Sequence, residues 1–220
     1  MRQLTASVIS NEKILGELER THARTILGSW LMWLRCPEIA QEAKPGQFVM
    51  VGCGEECTLP RPFSVHQINK DSVALYFNVW EDGKGTPWLS RRHKGDSVEI
   101  FGPLGNAFSI LPKAGNLLLV AGGIGIAPLC FLAEQGLKQG HDVTIFLGAS
   151  GATKPSGERN PPQHYPVERL PQEIELKTIT TTADGKERMA TDLLFKYPQY
   201  VKRADQVFAC GPTAMYRDMA

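Results

Sequence analysis

Asn116-Leu117-Leu118-Leu119-Val120-Ala121-Gly122-Gly123-Ile124-Gly125-Ile126-Ala127-Pro128 decides how this chain is read. Residues 116–121 form a continuous apolar run, the mark of a strand buried on both faces. A Gly-rich turn follows, and Leu129, Leu132, Ala133 and Leu137 then recur at helical spacing within 128–140. Residues 143–148, 175–180 and 206–209 repeat the buried-strand signature, so strands alternating with helices predict a parallel, Rossmann-like α/β domain. Its first turn suits a diphosphate: glycines let the anion approach bare backbone, and the helix start offers N–H groups and the positive dipole end. Pro128 fits the first helical turn, where a missing N–H costs nothing. The pattern is Gly-x-Gly-x-x-Pro, not Gly-x-Gly-x-x-Gly, and a ligand-free strand-to-helix turn reads equally well.

Upstream the character is different. Residues 5–9, 26–34, 47–51, 62–66, 73–79 and 96–101 read as short strands, with Val73, Leu75, Phe77 and Val79 alternating. Gly and Pro turns between them predict a closed or nearly closed antiparallel barrel of Greek-key type. The one helix-like stretch is 85–92. The boundary is placed at Pro112/Lys113, giving domains 1–112 and 113–220. Residues 150–171, rich in Pro, predict a long, mobile loop.

Three further clusters carry chemistry. Arg61-Pro62-Phe63-Ser64 offers a cation for phosphate, an aromatic ring and a hydroxyl. An ordinary strand with a core Phe and a solvated Arg explains the same residues. Asp82-Gly83-Lys84-Gly85-Thr86 precedes the helix-like stretch, with Thr86 as the N-cap and Pro87 at N1. Cys210-Gly211-Pro212 follows the last buried strand, at the end where open α/β sheets bind ligands. No base or cation is evident beside Cys210, so it reads as a packing contact for a ring or as a core thiol. The acid that would hold a ribose 2′-hydroxyl is missing after the second strand, where Lys154 and Arg159 lie, and NAD versus NADP stays open.

Composition narrows the class. Lys plus Arg is 24 and Asp plus Glu is 23, a net charge of +1 that gives no case for nucleic acid or an anionic membrane. No apolar run approaches the roughly 18 residues that span a bilayer, and no signal peptide is visible, which predicts a soluble, cytoplasmic protein. Cys36, Cys53, Cys57, Cys130 and Cys210 are odd in number and scattered, so neither a disulfide framework nor a metal site is expected. His22, His66, His93, His141 and His164 form no triad, and His66 reads as structural.

Taken together, Arg61-Pro62-Phe63-Ser64, Gly83-Lys84-Gly85-Thr86, Gly122–Pro128 and Cys210-Gly211-Pro212-x-x-Met215 resemble the ferredoxin–NADP reductase superfamily along nearly the whole chain. Pro45-Gly46-Gln47-Phe48-Val49 and Gly102-Pro103-Leu104-Gly105-Asn106-x-Phe108 look like one branch of it, the electron-transfer subunits of class 1B dihydroorotate dehydrogenases. The resemblance implies FAD in the first domain and NAD in the second, facing one cleft. Arg61 and Pro62 would line the FAD diphosphate or ribityl region, Phe63 would pack on the flavin and Ser64 would lie near flavin N5. Asn78, Val79 and Trp80 match a second flavin strand, and Gly85 and Thr86 the flavin phosphate turn. Gly122, Gly123, Gly125 and Pro128 would take the NAD diphosphate, Cys210, Gly211 and Pro212 would flank the nicotinamide, and Asp184 resembles a nucleotide-side Asp-Gly loop. Ser64 and Cys210 are thus the residues nearest the reaction, a hydride exchange between nicotinamide and flavin that needs no general base.

The family also implies a dihydroorotate dehydrogenase catalytic subunit as partner, in a heterotetramer serving pyrimidine biosynthesis, with electrons passed to NAD. Its relatives carry a 2Fe–2S cluster on four cysteines after the Cys-Gly-Pro motif. No such spacing occurs in this sequence, and a truncated copy is the expectation, since 214–220 reads as a helix cut short. Two alternatives are another NAD(P)H–flavin reductase of the superfamily, serving a ferredoxin, oxygenase or sulfur-reducing partner, and a flavin-free binding module that kept the fold.

Overall fold

The strands of the first half close on themselves. The computed structural model describes residues 2–20, 24–149, 165–180 and 189–220, and the chain divides into two units, Met1–Phe108 and Ser109–Ala220. The first contains β1 (Arg2–Leu15), β2 (Leu18–Arg20), β3 (Arg24–Arg35), α1 (Pro37–Glu42), β4 (Phe48–Val51), β5 (Arg61–Asn69), β6 (Ser72–Trp80), α2 (Gly85–Ser90) and β7 (Ser97–Leu104). The strands run β1-β7-β4-β5-β6-β3, and β3 pairs back onto β1, so six antiparallel strands form a closed barrel. Closure leaves no free edges among those six.

The predicted strand at 5–9 grows into the whole of β1 because it serves two neighbours. Its first part pairs with β7 through Ser7, and its later part with β3. Bulges at Val8/Ser10 and Lys13/Leu15 let it turn from one to the other. Strand β6 departs from simple alternation: Ala74 and Tyr76 are buried as well as Val73, Leu75, Phe77 and Val79. Both α1 and α2 pack against it.

The second unit contains β8 (Asn116–Gly122), α3 (Ile126–Lys138), β9 (Asp142–Ala149), β10 (Glu175–Thr180), α4 (Asp192–Lys196), α5 (Pro198–Arg203), β11 (Gln206–Cys210) and α6 (Thr213–Met219). Its four strands are parallel, in the order β10-β9-β8-β11. The apolar run of β8 is explained by two covered faces. Leu117 meets Gly136 of α3, while Leu118 and Val120 pack with Leu193 and Met215. The strand order reverses between β8 and β11, which makes their carboxyl ends the topological switch point where such sheets take ligands.

Helices α1, α4 and α5 escape a sequence reading because each is under two turns and shows little periodicity. Of the Pro-rich segment, residues 150–164 lie outside the described residues, and its end is packed. Tyr165 and Leu170 at its end are buried, around a single 3-10 turn at Val167–Arg169. Among the described residues no helix is long and apolar enough to cross a membrane.

Candidate functional site

At the switch point two loops interlock through their glycines. A methyl group on Gly125 would overlap the Cys210 carbonyl. One on Gly122 would lie 2.7 Å from Pro212 Cδ, 3.1 Å from Met215 Sδ and 3.3 Å from Gly211 Cα. One on Gly211 would lie 2.8 Å from Met215 Sδ. Gly122, Gly125 and Gly211 are therefore glycines because two backbones and the Met215 side chain share that space. Met215, 1% exposed, joins the core beneath and fixes the Cys-Gly-Pro turn from below. Gly123 differs: its φ of +57° needs a glycine, and a methyl there would meet nothing within 4 Å. With Ile124, 42% exposed, it forms the open part of the turn. Gly123–Gly125 is a 3-10 turn running into α3, with Pro128 buried in that helix's first turn.

Cys210 is partly buried at the end of β11, and burial pushes its thiol above the ordinary value. The Tyr216 hydroxyl opposes that shift and accepts a hydrogen bond from the Gly211 N–H at 3.2 Å. Cys210 is thus a neutral thiol near pH 7, suited to contact and not to nucleophilic attack.

The barrel holds its motif by side-chain packing. Arg61 opens β5 opposite Val51, and Ser64 pairs with Phe48. Arg61 and Pro62 are exposed, Ser64 is half-buried, and Phe63 is 7% exposed with its ring edge-on to Phe77 at 5.5 Å. Phe63 is a core residue here, which leaves little of its ring for a bound flavin. Gly85 starts α2 against Arg61: a methyl on Gly85 would lie 3.2 Å from Arg61 Cγ and 3.2 Å from Cys53 Cβ. Arg61, Cys53 and Gly85 thus meet at one place, although the sequence separates them.

Thr86 is not the N-cap that the sequence suggests. The helix begins two residues earlier than that cap implies, with Lys84 at the N-cap and no side-chain cap hydrogen bond, and Gly85 packs against Arg61 and Cys53. On β6, the Asn78 carboxamide oxygen accepts a 2.7 Å hydrogen bond from Ser29, Val79 is buried and Trp80 is half-buried. Asp184, Lys154, Arg159, His22 and His164 lie outside the described residues. His66 is fully buried, its ring tilted against Tyr76 at 5.5 Å.

The two branch-specific motifs are also neighbours. Phe48 pairs with Leu104, a methyl on Gly105 would press on the Phe48 ring, and Gln47 donates to the Gly105 carbonyl at 3.0 Å. Phe108 N–H in turn donates to the Pro45 carbonyl at 2.8 Å.

Sequence reasoning missed Asp205 and Gln206. The Asp205 carboxylate accepts from the Gly115 and Asn116 N–H groups, both at 2.8 Å, and these bonds hold its pKa below the ordinary carboxylate range. Gln206 accepts from Leu111 N–H and donates to the Ser109 carbonyl, tying the connecting segment to the base of β11. An acid and an amide before a strand give no pattern that could have revealed this. Among the described residues no three His, Cys, Asp or Glu side chains gather as a metal site.

No family model matches the chain. Relatives are plain. The chain is 33% identical over 199 residues to the dihydroorotate dehydrogenase B (NAD(+)) electron transfer subunit of Desulforamulus reducens, covering 87% of this chain and 71% of that one. It is 31% identical over 216 residues to the same subunit of Caldanaerobacter subterraneus subsp. tengcongensis, covering 98% and 74%. Among solved structures, an NADH-dependent reduced ferredoxin-NADP oxidoreductase studied for flavin-based electron bifurcation matches with a TM-score of 0.68 and 28% identity, over 96% of this chain and 68% of that one. The chain therefore belongs to the electron transfer subunits of dihydroorotate dehydrogenase B, a family of NAD-linked oxidoreductases.

Proposed function

We propose that the chain binds FAD on the barrel unit and NAD at the switch point of the α/β unit, and exchanges hydride between them. Bound together, the two cofactors supply that hydride chemistry. The residues orient and exclude. On the barrel, exposed Arg61 beside Gly85 and Thr86 offers a fixed cation and a small-residue surface for the FAD diphosphate. Ser64 presents a half-buried hydroxyl on the same strand, Asn78, held by Ser29, offers its amide N–H groups, and Pro62 and Trp80 supply apolar surface. Phe63 and Val79 act from inside the barrel by fixing those strands. In the α/β unit, Gly123 leaves open backbone for the NAD diphosphate, while Gly122, Gly125 and Pro128 set the turn. Cys210, Gly211 and Pro212 line the nicotinamide end as neutral contacts, and Asp184 belongs to the nucleotide side.

The observation that carries the reading is the interlock of the Gly122–Gly125 turn with Cys210-Gly211 at the switch point of a 3-2-1-4 parallel sheet. Its relatives' names, electron transfer subunits of dihydroorotate dehydrogenase B (NAD(+)), support a dihydroorotate dehydrogenase catalytic subunit as the partner and NAD as the electron acceptor; a heterotetramer in the cytoplasm serving pyrimidine biosynthesis completes the proposal. The described residues hold no cysteine set that fits a 2Fe–2S cluster, so no step is assigned to one in this chain.

Arg61→Ala tests the flavin side. FAD affinity should fall by about tenfold, the loss expected for a charge-assisted phosphate contact. Unchanged affinity would remove Arg61 from the site. Co-purification with a dihydroorotate dehydrogenase catalytic chain tests the partner, and capture of a ferredoxin or oxygenase in its place would favour the broader reductase reading.

A further inference from the structure

The helix that carries Gly85 and Thr86 is too short to hold its own place. Helix α2 has six residues, and isolated helices below roughly 12–15 residues are marginal in water. Its position must come from contacts along its length. At its start Gly85 rests on Arg61 and Cys53. In the middle Leu89 is fully buried, and Trp88 lies over Gly54 with the Arg92 guanidinium stacked 4.1 Å from the indole centroid.

The end of α2 is held from the other end of the sequence. Asn11, on β1, directs its side-chain amide nitrogen at three carbonyl oxygens: Leu89 at 3.0 Å, Ser90 at 3.0 Å and Arg92 at 2.9 Å. The last carbonyls of a helix have no partner within it. Here the Pro87 carbonyl accepts from the Ser90 hydroxyl, and the Trp88 carbonyl from the N–H of Arg91 and from Arg92 Nε. The Leu89 carbonyl accepts from the Arg92 N–H as well as from Asn11. For the Ser90 and Arg92 carbonyls the amide of Asn11 is the donor shown. One side chain thus binds the last two carbonyls of α2, and that of Arg92 just beyond it, to the barrel wall.

We propose that Asn11 is a positioning residue for flavin binding, holding α2 so that Gly85 and Thr86 stay beside Arg61. The inference rests on the flavin site placed above. It reaches a residue 78 positions from Leu89 in sequence, which no motif points to.

The test measures FAD affinity of the purified full chain for Asn11→Ala, Asn11→Asp, Val8→Ala and Arg61→Ala. Asn11→Asp keeps the shape but faces a carboxylate against three carbonyls, so it should raise the FAD dissociation constant most, by about tenfold or more, with Asn11→Ala smaller. At saturating FAD, NADH-dependent dye reduction per bound flavin should return to the wild-type rate in both. Val8→Ala, which removes buried volume on the same strand, should lower the melting temperature without changing FAD affinity. Wild-type FAD affinity in either folded Asn11 variant overturns the proposal. So does a loss of affinity in Val8→Ala matching that of Asn11→Ala, since the effect would then be general destabilisation. If Asn11→Asp does not fold, Asn11→Ala decides alone. Unchanged affinity in Arg61→Ala alone would instead overturn the Arg61 site and leave the clamp on α2 standing.

Discussion

The two halves of the molecule hold their candidate binding surfaces by opposite means. In the α/β unit the surface is made of backbone: the Gly122–Gly125 turn and Cys210-Gly211 fit together because Gly122, Gly125 and Gly211 lack a side chain. In the barrel unit it is made of side chains: Arg61 of β5, Cys53 just after β4 and Asn11 of β1 gather around α2, whose own Leu89 is buried and whose Trp88 packs on Gly54. Backbone interlock tolerates no added atom. Side-chain packing tolerates adjustment, since flexible chains can move by a few tenths of an ångström. The contrast predicts sharp failure on one side and graded loss on the other.

Gly125→Ala should be the harshest change. Its methyl overlaps a carbonyl oxygen of the neighbouring loop, so that loop must shift. NADH-dependent dye reduction should fall by more than about tenfold while FAD stays bound, because overpacking against backbone costs about 1–3 kcal/mol and falls on one surface only. Steady-state assay beside the flavin content reads both. Gly123→Ala sharpens the comparison. It has free space but a left-handed φ, so the expected cost is about 1–2 kcal/mol of conformational strain. Turnover should suffer less than in Gly125→Ala. Equal losses would mean that conformation, not interlock, governs the turn.

Smaller effects follow from the thiols. Burial raises both Cys53, to about 11, and Cys210, so each keeps its proton at neutral pH. Cys210→Ser should therefore leave turnover within about threefold, since no thiolate is in use. A larger loss would make the thiol more than a contact. For Cys53 the sign is fixed by linkage. The folded state keeps a proton that the unfolded chain gives up near pH 9, so this group's stabilisation is complete below that value. It is lost as pH rises through about 11. Alkylation mapped by mass spectrometry should reach half-exposed Cys57 first, and Cys53 only as pH climbs through that window.

The same contrast governs what the sequence makes legible. The 116–128 stretch shows both fold and turn because packing there dictates residue type: apolar residues where both sheet faces are covered, glycines where loops touch. Strand β10 spans the expected 175–180 but lacks the buried-strand signature, because it is the sheet's edge and residues 175–179 are half-buried or exposed. The barrel strands carry a legible signature, but β1 runs well beyond 5–9, because its length comes from pairing with two distant strands. Thr86 carries a capping signature without capping, since α2 starts at Gly85, which packs against Arg61 and Cys53. Asn11, Ser29 and Asp205 act across long sequence separations and carry no motif. Phe63 was legible as an aromatic, but which way its ring points is settled by the barrel interior.

The most direct test of the account is an anaerobic titration of the purified chain, reconstituted with FAD, by NADH. One equivalent of FAD should bind, and NADH should bleach the flavin's visible absorbance in the wild type, with Gly125→Ala holding FAD but failing to bleach at the same NADH concentration. A chain that stays colourless with FAD, or a bound flavin that NADH leaves oxidised, would contradict it.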